Sequence, residues 1–452
     1  MTISLFPNSE PMEYRPRPGS TAALIESADL PVSLADIELS SPEIACWRTT
    51  SDPRKALALV RLHSHPVGVT VLDPAHGTNW TSHADEVFTL MRDAINAHLS
   101  ADGLPAAEHA DDLIGRPESA RCQLDRANVQ RNAPMISVVI ATRERPESLA
   151  ACLDAVLAVD YPSFEVIVVD NDPDTAHTAE LIADRFHDRV QYVRENRRGL
   201  ASAHNCGLSL AHGQLVAFVD DDVIVDRNWL TAIAEGFASA DGVGCVTGLI
   251  LPAELETTAQ LLLERHGGFD KGFTQRIVDT AHRRPADPLF PFTTGQLGSG
   301  ANMSFDTALL RANGGFDPYI GAGTYARGGD DLSAIFRTLT AGRPVVYQPS
   351  AVVWHRHHRD MAALHNQAYG YGVGLGAYLT SVLVRQPRMI GPLLRRLPGG
   401  IRHAFSASSD RNRNRYNGGP DDLARREKRG LLYGPIAYAV SRWRARPSTK
   451  AS

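Results

Sequence analysis

From residue 135 onward the apolar positions come in short, mostly apolar runs separated by longer mixed stretches. Residues 136–140, 164–169, 190–193 and 215–219 are such runs. A continuous apolar run of this length predicts a strand covered on both faces, as in a parallel sheet. The stretches between them, 146–157, 175–186 and 200–210, predict helices. Strands alternating with helices in this way define an α/β fold with a parallel, βαβ-built sheet. Upstream, 56–62 and 67–72 predict a hairpin turning at His63-Ser64-His65-Pro66. A helix over 82–99 follows, with Val87, Leu90, Met91, Ala94, Ile95 and Leu99 on one face. Residues 1–30 are rich in Pro, Ser and Glu and predict poor order, and 100–133 predict a polar linker. The division is therefore a small α+β module over 1–133, an α/β domain over 134–357, and a helical extension over 358–452.

Three apolar runs end in polar clusters: Thr142-Arg143-Glu144-Arg145, Asp170-Asn171-Asp172 and Asp220-Asp221-Asp222. Open α/β sheets bind ligands at the carboxyl ends of their strands, so these clusters predict one site. Three adjacent carboxylates repel one another, and a hard divalent cation relieves that; the alternative, an acidic cap for the helix that begins near Asp226, needs only one of the three. Carboxylates after the second strand suit a base N–H or a ribose hydroxyl, and Arg143 and Arg145 suit phosphate. Neither G-x-G-x-x-G nor G-K-[ST] follows the first strand, which argues against dinucleotide dehydrogenases and P-loop kinases.

The chain has 452 residues, 43% apolar and 21% charged, with a net charge of -5. That charge is unevenly placed. Residues 1–133 hold 11 Lys/Arg against 18 Asp/Glu, and residues 385–452 hold 16 against 4, a basic end suited to an anionic surface. The five cysteines are scattered and lack C-x-x-C spacing, which argues against a disulfide framework or a zinc site and for a reducing compartment. His63 and His65 read as turn histidines, no further ligand set being visible nearby. The N-terminus lacks a basic region followed by an apolar core, so a cytoplasmic location is expected.

Ser137-Val138-Val139-Ile140-Ala141-Thr142-Arg143-Glu144-Arg145-Pro146 resembles the opening of the family 2 (GT-A fold) nucleotide-sugar glycosyltransferases. Val168-Val169-Asp170-Asn171, Asn196-Arg197-Arg198-Gly199-Leu200-Ala201-Ser202-Ala203-His204-Asn205-Cys206-Gly207 and Phe218-Val219-Asp220-Asp221-Asp222 continue the resemblance in order. Gly300-Ala301-Asn302-Met303, Gly314-Gly315-Phe316-Asp317, Gly328-Gly329-Asp330-Asp331-Leu332 and Trp354-His355 complete it over roughly residues 134–357. The resemblance implies a Rossmann-like, mostly parallel GT-A core and an inverting sugar transfer from a nucleotide-diphosphate sugar to an acceptor hydroxyl. It implies a divalent cation, Mn²⁺ or Mg²⁺, on Asp222 with Asp220, and His355 as a further ligand; a turn histidine in a basic cluster is the alternative for His355. It implies nucleobase contact by Asp170, with Asp172 second, ribose contact by Asp220 or Asp221, and donor contacts from Thr142, Arg143, Arg145 and Arg198. Asp331 matches the general base and Asp330 its acidic partner; this family usually has Glu-Asp there, so the first arm is shorter here. Helix capping is the plainer role for both. Gly298–Gly300 and Gly321–Gly323 predict mobile loops over the donor.

Beyond Arg359 the resemblance fades. Residues 367–384 are uncharged but contain four glycines, which predicts a buried or interfacial helix rather than a spanning one. Arginines interleaved with Leu and Ile over 385–405 suit an amphipathic helix on the anionic inner face of a membrane; a solvated helical cap is the alternative. Residues 410–429 predict a linker and 431–443 a second interfacial helix. No nucleic acid partner is expected, since no stacking-aromatic module is visible. The expected partners are a nucleotide-sugar donor and a glycan or lipid-linked acceptor. A nucleotidyltransferase and a non-catalytic nucleotide-sugar or glycan-binding protein are the rival functions.

Overall fold

The structure, a computed structural model, describes residues 25–41, 43–48, 54–73, 82–115, 120–267, 269–404 and 421–445. The N-terminal module holds β1 (Ser33–Glu38), β2 (Glu43–Arg48), β3 (Ala56–Leu62), β4 (His65–Leu72), α1 (Ala84–Ala101) and α2 (Arg121–Arg131). Its sheet runs β2-β1-β3-β4, with β1 and β3 parallel. The hairpin and the first helix lie where the hydrophobic pattern predicted them. The expected linker over 100–133 is corrected: it contains a 3₁₀ turn at Ala110–Leu113 and helix α2. The expectation of poor order over 1–30 is corrected at its end, where Ile25 is buried and Ser27–Asp29 form a 3₁₀ turn; residues 1–24 lie outside the described residues.

Every residue of β3 is buried because the small sheet is covered on both faces. Ala58, Val60 and Leu62 pack with Val87, Ile95 and Leu99 of α1. Leu57 and Leu59 face the other way, against Leu249, Leu251, Val352 and Trp354. Arg61 shares that second face, where burial of a lone guanidinium would be prohibitive. It is held by Asp36 at 2.9 Å and by Asp226 at 2.6 Å, so the ion pair bridges module and domain.

The α/β domain contains β5 (Ile136–Thr142), α3 (Pro146–Val156), β6 (Phe164–Asn171), α4 (His177–Arg185), β7 (Gln191–Glu195), α5 (Leu200–Leu210), β8 (Leu215–Asp220) and β9 (Val223–Val225). It continues with α6 (Trp229–Ala238), β10 (Cys245–Pro252), α7 (Thr258–Gly267), β11 (Arg276–Val278), β12 (Asn302–Asp306), α8 (Thr307–Ala312), α9 (Asp330–Thr340) and β13 (Val345–His355). The sheet order is β11-β13-β10-β12-β8-β5-β6-β7, with β9 pairing β13. Strands β5, β6, β7 and β8 are mutually parallel, and so are β10 and β13; β12 is inserted antiparallel between β8 and β10. Parallel register opposes Thr142 to Asp170 and Ala141 to Asp220, so the three polar clusters reach one edge.

Beyond the domain lie α10 (Met361–Arg385), α11 (Ile390–Ala404) and α12 (Asp421–Arg444). The linker expected over 410–429 is corrected from Asp421 onward, which is the first part of α12; residues 405–420 lie outside the described residues. Helix α12 packs on α10 through glycines. A methyl group on Gly376 would stand 2.4 Å from the Leu431 carbonyl, and one on Gly434 would stand 2.5 Å from Gly376 Cα. The glycines that spoiled a spanning helix are thus the contact surface of two close helices. No helix among the described residues is long and apolar enough to cross a membrane.

Replacing Arg61 with Ala leaves Asp36 and Asp226 facing each other without a cation. The expected cost is about 3–5 kcal/mol in chemical denaturation; a change below about 1 kcal/mol would mean that the pair is no stronger than a surface one.

Candidate active site

Strand β8 delivers Asp220 to the sheet edge, and the next two residues turn before β9. Asp221 points inward: Thr142 Oγ1 donates to its Oδ2 at 2.7 Å, and Arg145 donates to Oδ1 at 3.2 Å. The same arginine nitrogen lies 3.2 Å from Asp222 Oδ2, so one half-exposed guanidinium steadies two of the three carboxylates. Strand β9 then pairs with the end of β13, placing Val223 opposite His355. That pairing brings His355 Nε2 to 3.2 Å from Asp222 Oδ1.

Donor atoms of Asp220, Asp222 and His355 lie within 4.8 Å of one another. Burial and the charge of Asp222 push Asp220 up to about 7. Burial raises Asp222 as well, but His355 and Arg145 outweigh it and hold its carboxyl below the usual range. Burial disfavours a protonated His355, and the Asp222 carboxylate reverses that, raising the imidazole. Asp222 Oδ1 is buried without a geometrically good hydrogen bond. Two carboxylates and an imidazole, with one oxygen left over, fit a hard or borderline divalent cation.

His355 is oriented from behind. Its Nδ1 lies 3.1 Å from His357 Nδ1, and His357 Nε2 lies 2.5 Å from Glu264 Oε1 on α7. Such outer partners fix the ring that faces a metal. His357 shares a face with His355 by the two-residue period of an extended chain, a signal present in the sequence; nothing local pointed to Glu264.

At the end of β6, Asp170 is fully buried. Its Oδ2 accepts from the Tyr192 hydroxyl at 2.9 Å, while Oδ1 has no hydrogen-bond partner. Burial raises its pKa, with the Tyr192 bond opposing. Asn171 accepts from Gly199 N–H at 2.8 Å and donates to the Arg197 carbonyl at 2.9 Å, fixing the loop that carries exposed Arg198. Asp172 has a positive φ of 50°, and its carbonyl accepts from Arg143, whose guanidinium also reaches Asp174 at 2.7 Å.

Asp330 and Asp331 open α9 behind the left-handed Gly329. Asp331 Oδ2 accepts from Gly300 N–H at 2.9 Å; burial and the neighbouring Asp330 push Asp331 up to about 6. Asp330 Oδ2 is buried without a hydrogen bond, 3.4 Å from His204 Nδ1. The glycine loops expected to be mobile are each tied at a point: Gly300 to Asp331, and Ala322 to Leu200 N–H at 2.9 Å.

His204 sits between Phe218 and Phe316, with its Nδ1 facing Asp330. Gly300, which donates to Asp331, lies two residues before Asn302, and Asn302 pairs with Val219 beside Asp220, so the two acid clusters meet at one strand edge; Tyr371 of α10 reaches it through Phe269, whose ring touches both Tyr371 and His355. Sequence reading missed both residues. His204 lay inside a recognised motif without an assigned role, and Tyr371 lay in a stretch read only for hydropathy. Two other motif residues are structural: Asn302 joins Trp229 Nε1 to the carbonyls of Leu249 and Ala351, and buried Asp317 accepts from Ser381 of α10.

A strand-edge acid cluster beside a second carboxylate pair is an arrangement that can hold a divalent cation next to a base. Residues 137–297 match the family described as Glycosyl transferase family 2, in line with the motif resemblance; Asp330, Asp331 and His355 lie beyond the matched segment. A glucosyl-dolichyl phosphate glucuronosyltransferase of Haloferax volcanii is 24% identical over 193 residues, 41% of this chain and 57% of that protein. A pre-mycofactocin glycosyltransferase of Mycobacterium tuberculosis is 25% identical over 294 residues, 64% of this chain and 57% of that protein. The chain thus spans little more than half the length of either relative. The solved mannosyltransferase PcManGT of Pyrobaculum calidifontis, in complex with GDP-Man and Mn²⁺, aligns over 69% of this chain and 88% of its own. Its identity is 19% and its TM-score 0.43.

Calorimetric titration with MnCl₂ is expected to give binding that Asp222→Ala abolishes and that Glu264→Gln weakens about 10-fold through the loss of His357 support. Unchanged binding in Asp222→Ala would remove the assignment.

Proposed function

We propose that this chain is an inverting glycosyltransferase. It moves a sugar from a nucleoside-diphosphate sugar to an acceptor hydroxyl with the help of Mn²⁺ or Mg²⁺. The observation that carries this reading is the convergence of two acid clusters on one strand edge. Asp220, Asp222 and His355 form a cation site on one side, and Asp331, a carboxylate with a raised pKa, stands on the other. The unsatisfied Oδ1 of Asp170 suits a nucleobase N–H, and Arg143 and Arg145 line the path toward the diphosphate. With Asp221 engaged by Thr142 and Arg145, Asp220 is the carboxylate left for the ribose as well as the cation.

Bound at Asp222, Asp220 and His355, the cation would neutralise charge on the departing diphosphate. Asp331 takes the proton from the acceptor hydroxyl as its oxygen bonds to the anomeric carbon. The bond from that carbon to the diphosphate oxygen breaks on the opposite face, which inverts the centre. Arg145 adds positive charge beside the leaving group, and Gly300 N–H holds the Asp331 carboxylate in place. Asp330 keeps Asp331 basic by its own charge.

The acceptor reading is lipid-linked. Leu432, Ile436 and Trp443 stand 79%, 57% and 69% exposed on α12, and exposed Leu394 lies beside Arg395 and Arg396 on α11. An apolar face with a basic surround suits an anionic membrane surface. The Haloferax relative's name places its own acceptor on a dolichyl phosphate.

A panel of UDP-, GDP- and dTDP-sugars with Mn²⁺ or Mg²⁺ tests the activity. One donor is expected to be hydrolysed slowly and transferred to an acceptor; binding without any turnover would favour the non-catalytic reading. For the base, Asp331→Asn is expected to leave donor affinity unchanged and to lower turnover by about 10²–10⁴-fold. Because the base works ionised, kcat/KM should be flat at high pH and fall as pH drops through about 6. A flat profile down to pH values well below that would sink the assignment. For the membrane, pelleting with anionic liposomes is expected, and lost when Leu432, Ile436 and Trp443 are changed together to Glu. Equal pelleting of that variant would refute the contact.

A further inference from the structure

The N-terminal module gathers four ligand-type side chains that neither the motif resemblance nor the matched family segment touches. His63 stands at the tip of the β3–β4 hairpin, His98 and Asp102 end α1, and Cys122 opens α2. His63 Nδ1, His98 Nε2, Asp102 Oδ2 and Cys122 Sγ all lie within 4.8 Å of one another. The individual separations are 3.0 Å for His63 to Asp102, 3.2 Å for His98 to Asp102 and 3.3 Å between the two imidazoles. The sulfur lies 3.7 Å from each imidazole nitrogen and 2.9 Å from the Asp102 oxygen.

We propose that His63, His98, Asp102 and Cys122 form a structural Zn²⁺ site that locks the N-terminal module together. Zinc bonds of roughly 2.0–2.3 Å in a tetrahedron place ligand atoms about 3.3–3.6 Å apart. Four of the six separations are already close to that. The two shorter ones, from Asp102 Oδ2 to His63 Nδ1 and to the Cys122 sulfur, are hydrogen-bond distances, and zinc takes the place of the shared protons. The set is closed, with four protein ligands and no vacancy, which is the mark of a structural rather than a catalytic zinc.

The surroundings favour a cation. Asp102 is a buried carboxylate at the C-terminal end of α1, where the helix dipole is already negative. Its contacts are two imidazoles, a thiol and the Cys122 backbone N–H, which donates to Oδ1 at 2.9 Å. That last bond orients the carboxylate so that Oδ2 faces the other three donors, as an outer contact does for a metal ligand. The hairpin tip is held for the purpose: His63 and Ser64 adopt φ of 54° and 66°, and their N–H groups donate to Glu38. His65 is not part of the set; its two nitrogens meet Ser350 and Arg126.

The test uses the full chain carrying Asp222→Ala, so that the active-site cluster does not contribute. Metal analysis after purification and dialysis is expected to find about one zinc per chain. Reconstitution with Co²⁺ is expected to give a tetrahedral spectrum with a thiolate-to-cobalt charge-transfer band. Cys122→Ser should remove that band, and His98→Ala should weaken zinc binding by at least about 100-fold. A chain that neither retains zinc nor takes it up from zinc chloride overturns the proposal, as does cobalt bound without a thiolate band or binding insensitive to Cys122→Ser. The cobalt spectrum of the parent chain decides the matter even if a ligand variant fails to fold.

Discussion

The arrangement of this protein depends on relieving three consecutive carboxylates at the end of a buried strand. Asp220, Asp221 and Asp222 leave β8 at a partly buried edge, so repulsion and desolvation act together. Each is met differently. Asp221 turns inward to Thr142 and Arg145, Asp222 meets Arg145 and His355, and Asp220 is left with the raised pKa that records the deficit. That deficit is what a divalent cation would fill. The strand order follows from the same need, since His355 can reach Asp222 only because β9 pairs with the end of β13.

The half of the domain that carries the nucleotide cluster was legible in the sequence because its strands are buried on both faces. Residues 136–140 and 215–219 read as strands, and β5 and β8 extend them by only one or two residues. The other half was not. Strand β13 reads Val-Val-Tyr-Gln-Pro-Ser-Ala-Val-Val-Trp-His, and its polar middle sits at the register shift opposite Gly248, which breaks any apolar run. Helix α2 was invisible for a related reason. Its one buried residue is Arg126, held by Glu235 of α6, so it docks by an ion pair and shows no apolar period. The first half of α12 looked like a charged linker because its packing rests on Leu423, Ala424 and Gly430 among many charged residues, too few apolar positions to show a period.

Site residues divided along the same line. Those within a few positions of a strand end, Thr142, Asp170 and Asp220–Asp222, could be placed by topology alone. His204, Tyr371 and Glu264 come from helices distant in sequence and could be placed only by packing. The His63, His98, Asp102 and Cys122 cluster is the extreme case. Its members stand up to 59 residues apart, and neither the cysteine spacing nor the histidine pair carries a recognisable motif.

The N-terminal module touches the site through β9 and β13. Arg61 on β3 holds Asp226, the residue immediately after β9, and Asp226 N–H donates to the Val352 carbonyl on β13. His65, next to the zinc cluster, meets Ser350 on the same strand at 2.8 Å. Both contacts grip the corner where β9 and β13 pair, and that pairing sets the distance from His355 to Asp222. A hairpin tip fixed by four metal ligands transmits its rigidity to β13 more fully than a turn held only by hydrogen bonds. The proposed zinc site and the proposed cation site are therefore linked through one strand, β13.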